Sequence, residues 1–182
     1  EMDRLLDDLQ WDNNYNNVRA RTILLLFYET GLRRSELVGL NDEDVDLSAM
    51  QLKVTGKRNK QRIVPFGDEL ASELRRYIEV RNSETAAVAE GRPFFLSDKG
   101  ARISGQQVYN IVRKYLSTVT SLKKRSPHVL RHTFATAMLN NGAGLESIKN
   151  LLGHESVSTT EIYTHTTFEQ LKRVYKEAHP RA

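Results

Sequence analysis

Asn17-Val18-Arg19-Ala20-Arg21-Thr22-Ile23-Leu24-Leu25-Leu26-Phe27-Tyr28-Glu29-Thr30-Gly31 holds the longest apolar run of the chain, Ile23 to Phe27. Consecutive apolar residues on a helix point in every direction around its axis, so a helix from about Asn17 to Thr30 has to be buried on all sides. Gly31 is placed to end it in a left-handed C-cap. The rest of the fold therefore has to wrap this helix. Upstream, Leu5, Leu6 and Leu9 share one stripe of an expected helix over Met2 to Leu9. Downstream, a short helix around Ser35 to Gly39 leads into an acidic turn at Asn41 to Asp44.

From Val45 to Phe66 the apolar period changes to two, with Leu52, Val54, Ile63 and Val64 flanking the polar turn Gly56-Lys57-Arg58-Asn59-Lys60. This reads as a small antiparallel sheet with a cationic hairpin. Helical spacing returns over Asp68 to Arg81, and a loop is expected from Asn82 to Arg92. Ser104 can cap a helix reaching Ser117, and Ser126-Pro127 supplies an N-cap and a first-position proline for a helix ending near Gly142. Short helices are expected over Leu145 to Leu152 and Ser158 to His165, then a terminal helix from Thr167 to Ala178. The fold class is α+β, mostly α-helical with one small antiparallel β-sheet, and 182 residues fit a single domain.

Apolar residues make up 39% of the chain and charged residues 27%, an ordinary globular balance. No stretch approaches the ~20 apolar residues of a bilayer span, so no membrane segment is expected. The absence of cysteine removes disulfides, thiolate zinc sites and thiol nucleophiles. With no signal peptide at the start, the expected location is the cytoplasm. The net charge of +4 is unevenly spread: residues 1–50 hold 5 basic and 11 acidic side chains, whereas Lys53 to Arg62 and Lys99 to Leu145 contain no acid at all. Such stretches suit a polyanion, although a solvated basic face would give the same pattern.

The start of the helix at Ser126 carries His128 and Arg131, three residues apart on one face. A proton-transferring imidazole beside a guanidinium that grips two oxygens, near the positive end of a helix, is a set that phosphoryl transfer requires. On spacing alone a structural role is the commoner reading of such a pair. His128 and His132 also have the spacing of helical zinc ligands, with His154 and His165 as further candidates. No glutamate accompanies them as a base and Arg131 would repel a divalent ion, so no metal and no cofactor is expected.

Five segments in order resemble the tyrosine site-specific recombinases of the phage integrase family, most closely the bacterial Xer type. They are Thr30-Gly31-Leu32-Arg33-Arg34-Ser35-Glu36-Leu37, Gly56-Lys57, His128-Val129-Leu130-Arg131-His132-Thr133-Phe134-Ala135-Thr136, Leu151-Leu152-Gly153-His154, and Ser158-Thr159-Thr160-Glu161-Ile162-Tyr163-Thr164-His165. The resemblance covers essentially the whole chain and implies the catalytic-domain fold of that family over residues 1–182. It also implies that the helical N-terminal domain usual in the family is absent from this chain. Carried over residue by residue, Arg33 and Arg131 would clamp the scissile phosphate and Lys57 would match the hairpin lysine. His128 would be the first active-site histidine, His154 the position held by histidine or tryptophan, and Tyr163 the nucleophile.

The implied activity is site-specific DNA cleavage and rejoining through a 3′-phosphotyrosyl intermediate. Two guanidiniums would neutralise nonbridging oxygens, Tyr163 would attack with His128 accepting its proton, and Lys57 would protonate the departing 5′ oxygen. The implied partners are double-stranded DNA and a second recombinase, the same chain or a paralogue, in a tetrameric synapse. An integrase of a mobile element and a noncatalytic DNA-binding protein remain alternatives, with a zinc hydrolase behind them. Gln106, Gln107 and Asn110 are candidate base readers. The terminal helix, with Phe168, Leu171 and Val174 on one stripe, is expected to dock on a neighbouring protomer.

Overall fold

The computed structural model describes residues 2–84, 92–119, 125–153 and 165–182. Helix α1 (Tyr15–Thr30) is the axis of the fold: Ile23, Leu24, Leu25, Leu26 and Phe27 are all fully buried. It begins two residues earlier than the apolar spacing suggests, because the Asn14 side chain accepts from the Asn17 amide at 2.9 Å and caps it. At the other end Gly31 has φ +66° and returns its N–H to the Phe27 carbonyl. A Cβ there would lie 2.6 Å from both Phe134 and Leu152 side chains, so conformation and space both demand glycine. The helix ahead of α1 has π character over Arg4–Asp8, with Leu5 and Leu6 buried.

After the short α2 (Arg34–Val38) and a 3₁₀ turn at Asp42–Asp44, the chain forms a three-stranded antiparallel sheet, β1 (Val45–Asp46), β2 (Gln51–Thr55) and β3 (Gln61–Pro65), in that order. Leu52 pairs with Val64 and Val54 with Arg62, so these four residues share the buried face. Four longer helices follow, α3 (Asp68–Glu84), α4 (Gly105–Leu116), α5 (Pro127–Asn140) and α7 (His165–Ala178), with the shorter α6 (Leu145–Leu152) between the last two. Helix α1 packs mainly along α3 and α5, and α2 leans on α4. The mostly helical α+β class with one small antiparallel sheet is therefore the observed one. Among the described residues no helix is long and apolar enough to cross a membrane.

Helix α7 packs on its own chain, against α5, α6 and β3. Leu171, Tyr175 and Ala178 are buried there beside Phe134, Met138 and Leu151. In the single chain the stripe is covered in cis, the alternative to docking on a neighbour; the side chain of Phe168 lies outside the described set, and Val174 is only partly buried. The tail behind α7 is fastened as firmly. The His179 ring stacks on Tyr175 and Phe134, its Nε2 meets the Tyr28 carbonyl at 3.0 Å, and burial drives its pKa down to about 4. Arg181 then reaches Asp3, Asp7 and Glu69.

Beneath α7 lies Glu29, fully buried on α1, with the Tyr175 hydroxyl donating to Oε1 at 3.4 Å. Among the described residues its other oxygen has no partner. Burial, reinforced by the Glu69 carboxylate, pushes its pKa from 4.5 up to about 8, against the opposing influence of Tyr175, Arg181 and Arg21. The folded chain thus keeps a proton that the unfolded chain loses near pH 4.5, so stability falls as pH rises from there toward 8. Glu29→Gln is expected to remove that loss, gaining on the parent by up to ~1.4 kcal/mol per pH unit across the window. Urea denaturation of both proteins at pH 5, 6.5 and 8 checks it; a difference independent of pH would contradict the assignment.

Candidate active site

Immediately after Gly31 the chain drives Leu32 into the core and turns at Arg33, the N-cap of α2. The Arg33 amide donates to Glu36 Oε1 at 2.8 Å, which fixes the backbone, while its guanidinium remains about a third exposed and 3.7 Å from Glu36 Oε2. Arg131 comes from α5 and is only 6% exposed. It donates through Nη1 to the Gly31 carbonyl and through Nη2 to the Leu152 carbonyl at 2.9 Å. The end of α1, the start of α5 and the end of α6 are thereby joined by one planar side chain. Burial, with the neighbouring Arg33 and Arg62 cations, lowers the Arg131 pKa to about 10 while Glu36 opposes, so the group stays charged at neutral pH. Arg33 and Arg131, paired by the resemblance from positions 98 residues apart in sequence, lie close enough to influence each other's charge.

Glu36 is the residue on which the cluster is assembled, and it has no role in the sequence-based site. It is 2% exposed and receives both terminal nitrogens of Arg62 as well as the Arg33 amide. Burial opposes its ionisation, but the Arg62 hydrogen bonds and the two arginine charges outweigh this and hold its pKa below the usual carboxylate value. Arg62, read from sequence as one more hairpin cation, is turned inward. The signal was present: in a period-two strand, position 62 faces the same way as Val64, the buried side. Arg62 also donates from Nε to the Leu151 carbonyl at 2.9 Å.

Lys57 is exposed in a 3₁₀ turn, Lys57–Asn59, at the tip of the β2–β3 hairpin. Its neighbour Gly56 closes the turn by donating to the Lys60 carbonyl at 2.8 Å, and a Cβ on Gly56 would stand 3.1 Å from Glu36 Oε2. The hairpin that carries Lys57 therefore rests on the carboxylate that orients Arg33. His128 is exposed in the first turn of α5, whose N-cap Ser126 makes no capping hydrogen bond with its side chain. His154 and Tyr163 lie outside the described residues. Of the candidate base readers, Gln107 is engaged in a capping box, trading hydrogen bonds of 3.1 Å with Ser104. Gln106 and Asn110 stay exposed and hydrogen-bond each other at 3.0 Å.

Three guanidiniums around a single carboxylate leave an excess of positive charge in a partly dry setting. Such a site is suited to an oxyanion whose charge grows during reaction.

A helical domain with a small sheet and a paired-arginine cluster of this kind belongs to a known class. Residues 1–170 match the phage integrase family, and the chain belongs to that family. Over 168 residues it is 49% identical to the tyrosine recombinase XerC of Chlorobaculum tepidum, covering 90% of this chain and 50% of that protein. The chain thus spans about half the length of that relative. The crystal structure of XerA recombinase superposes with a TM-score of 0.72 at 33% identity, over 98% of this chain and 63% of that one. A post-cleavage complex of the XerH site-specific recombinase bound to palindromic difH substrate superposes with a TM-score of 0.72 at 25% identity, over 93% of this chain and 48% of that one.

The two arginines should differ in structural weight. Arg131→Ala leaves the Gly31 and Leu152 carbonyls without their donor, at an expected cost of about 1–3 kcal/mol. Arg33→Ala removes a side chain about a third exposed and keeps the amide bond to Glu36, so a loss below about 1 kcal/mol is expected. Equal losses in urea denaturation would show that the two side chains are not seated as described.

Proposed function

We propose that the chain is the catalytic domain of an enzyme that breaks and rejoins duplex DNA at specific sites through a tyrosyl intermediate. The observation that carries this reading is the gathering of the Arg33, Arg62 and Arg131 charges near Glu36, which takes the Arg33 amide and the Arg62 fork, with the Lys57 hairpin against the same carboxylate. Family membership and the likeness to Xer recombinases support it. In this reading Arg33 and Arg131 hold the nonbridging oxygens of one phosphodiester and neutralise charge as it builds. The Tyr163 hydroxyl oxygen bonds to phosphorus, its proton passes to His128, and the bond from phosphorus to the 5′ oxygen breaks. Lys57 supplies the proton for that oxygen. The product is a 3′-phosphotyrosyl link and a free 5′ hydroxyl; attack by a hydroxyl from another strand reverses the step with no external energy source.

The same reading places the enzyme in the cytoplasm, acting with further copies or a paralogous recombinase in a tetrameric synapse. The basic, acid-free segments from Lys53 to Arg62 and from Lys99 to Leu145 supply the charge for the DNA backbone.

Nicked fragments of the source organism's chromosome, incubated with the protein, are expected to yield a denaturant-resistant adduct that maps to Tyr163 and disappears in Tyr163→Phe. An adduct on another tyrosine, or none, would overturn the reading. Lys57→Ala should slow cleavage about a hundredfold or more, and recover on the same DNA carrying sulfur in place of the scissile 5′ oxygen, because a thiolate departs without a proton. Arg33→Ala should show no such recovery, since its work is on the nonbridging oxygens. Equal recovery of both, or of neither, would remove Lys57 as the acid.

A further inference from the structure

Arg62 is an arginine on the core face of a strand, 7% exposed, and every contact it makes leads to a segment of the candidate site. Its two terminal nitrogens go to Glu36, which sets the Arg33 backbone. Its Nε goes to the Leu151 carbonyl, next to the Leu152 carbonyl that Arg131 holds. Gly153 follows with φ +71°, and a Cβ there would lie 2.9 Å from Arg62 Nη1. Only glycine lets α6 end across this guanidinium. On its own hairpin, Gly56 approaches within 3.9 Å of the same nitrogen at the position a Cβ would take.

We infer that Arg62 is a positioning residue of the proposed phosphoryl-transfer site: it occupies the Glu36 carboxylate so that the Arg33 guanidinium remains available to phosphate beside Arg131. The inference rests on the function proposed above. Its physical basis is competition for a buried anion. Glu36 needs a cationic partner to stay ionised at its depth. Arg62 satisfies it in a two-bond fork, and Arg33 is left at 3.7 Å, outside hydrogen-bond range. Without Arg62, Glu36 would draw Arg33 in. The cluster would fall from three guanidiniums against one carboxylate to two, and one of those would face away from phosphate. Lysine cannot substitute fully, because an ammonium lacks the planar fork that spans Glu36 and Leu151 together.

The experiment compares Arg62→Met, Arg62→Lys and Arg62→Met/Glu36→Gln for adduct formation on the nicked chromosomal fragments described above. Folding of each is checked by urea denaturation. Arg62→Met is expected to lose about a hundredfold or more in cleavage rate, of the order seen when an oxyanion donor is lost. Adding Glu36→Gln should recover at least about tenfold of this, because the competing carboxylate is gone. A merely structural arginine predicts the reverse, since the double variant loses more of the buried network. The Arg62→Met defect should also shrink on DNA whose scissile phosphate carries a methyl group in place of a nonbridging oxygen, since that phosphate is neutral. If Arg62→Met does not fold, Arg62→Lys is compared with Arg62→Lys/Glu36→Gln, and the same recovery is expected. Cleavage by a folded Arg62→Met at the parental rate, or a double variant no faster than the single one, would overturn the inference while the parent still forms adduct. Failure of the parent itself would overturn the proposed function, and this inference with it.

Discussion

A single buried carboxylate, Glu36, governs how the candidate site is put together. An ionised group at 2% exposure is tolerated only when its oxygens are taken by charged or polar donors. Here those donors come from the N-cap of α2 and from the inward face of β3. The need to satisfy one anion therefore brings together elements that apolar packing alone would leave free to slide. Replacing the pair by aliphatic residues could fill the space as well, but it would leave the Arg33 amide without its acceptor.

The charge cluster is mounted on a stiff frame. Helix α1 is buried along its length, and its left-handed glycine cap presents a carbonyl to Arg131. That carbonyl belongs to a residue whose position is fixed from both sides by Phe134 and Leu152. A guanidinium hydrogen-bonded to two such backbone groups has little rotational freedom left to lose on gripping a ligand, which is how preorganisation lowers the cost of binding.

Much of this was legible in the sequence, and the parts that were not have physical reasons. The run Ile23 to Phe27 can only be a buried helix, and Leu52, Val54 and Val64 can only be one face of a strand, because periodicity reports burial directly. Arg33 and Arg131 were found through motif order, not through anything local to either. Arg62 escaped because charge was weighed ahead of the period-two position that places it inward. Ser104, three residues before Gln107, carries the signature of the capping box that occupies the Gln107 side chain. Glu29 shows a different limit: nothing in a helix buried on all sides tells which chain segment will close over a lone glutamate. Helix α7 illustrates the same point, since its stripe specifies that something apolar covers it but not whether that surface belongs to its own chain.

The closing segment is itself packed into the scaffold of the site. The His179 ring stacks on Phe134 at 5.5 Å between centroids, and Phe134 is the side chain that confines Gly31. Gly31 in turn offers its carbonyl to Arg131. The tail and the buried arginine thus share one contiguous set of packed groups, in which interiors this dense transmit displacement instead of absorbing it. Arg181, fastened to Asp3, Asp7 and Glu69, holds the far end of that set against the first helix and α3. The seating of Arg131 therefore depends on the C-terminal residues as well as on the motif in which it lies, and the unit that positions the cluster extends from the first helix to the last residues of the chain.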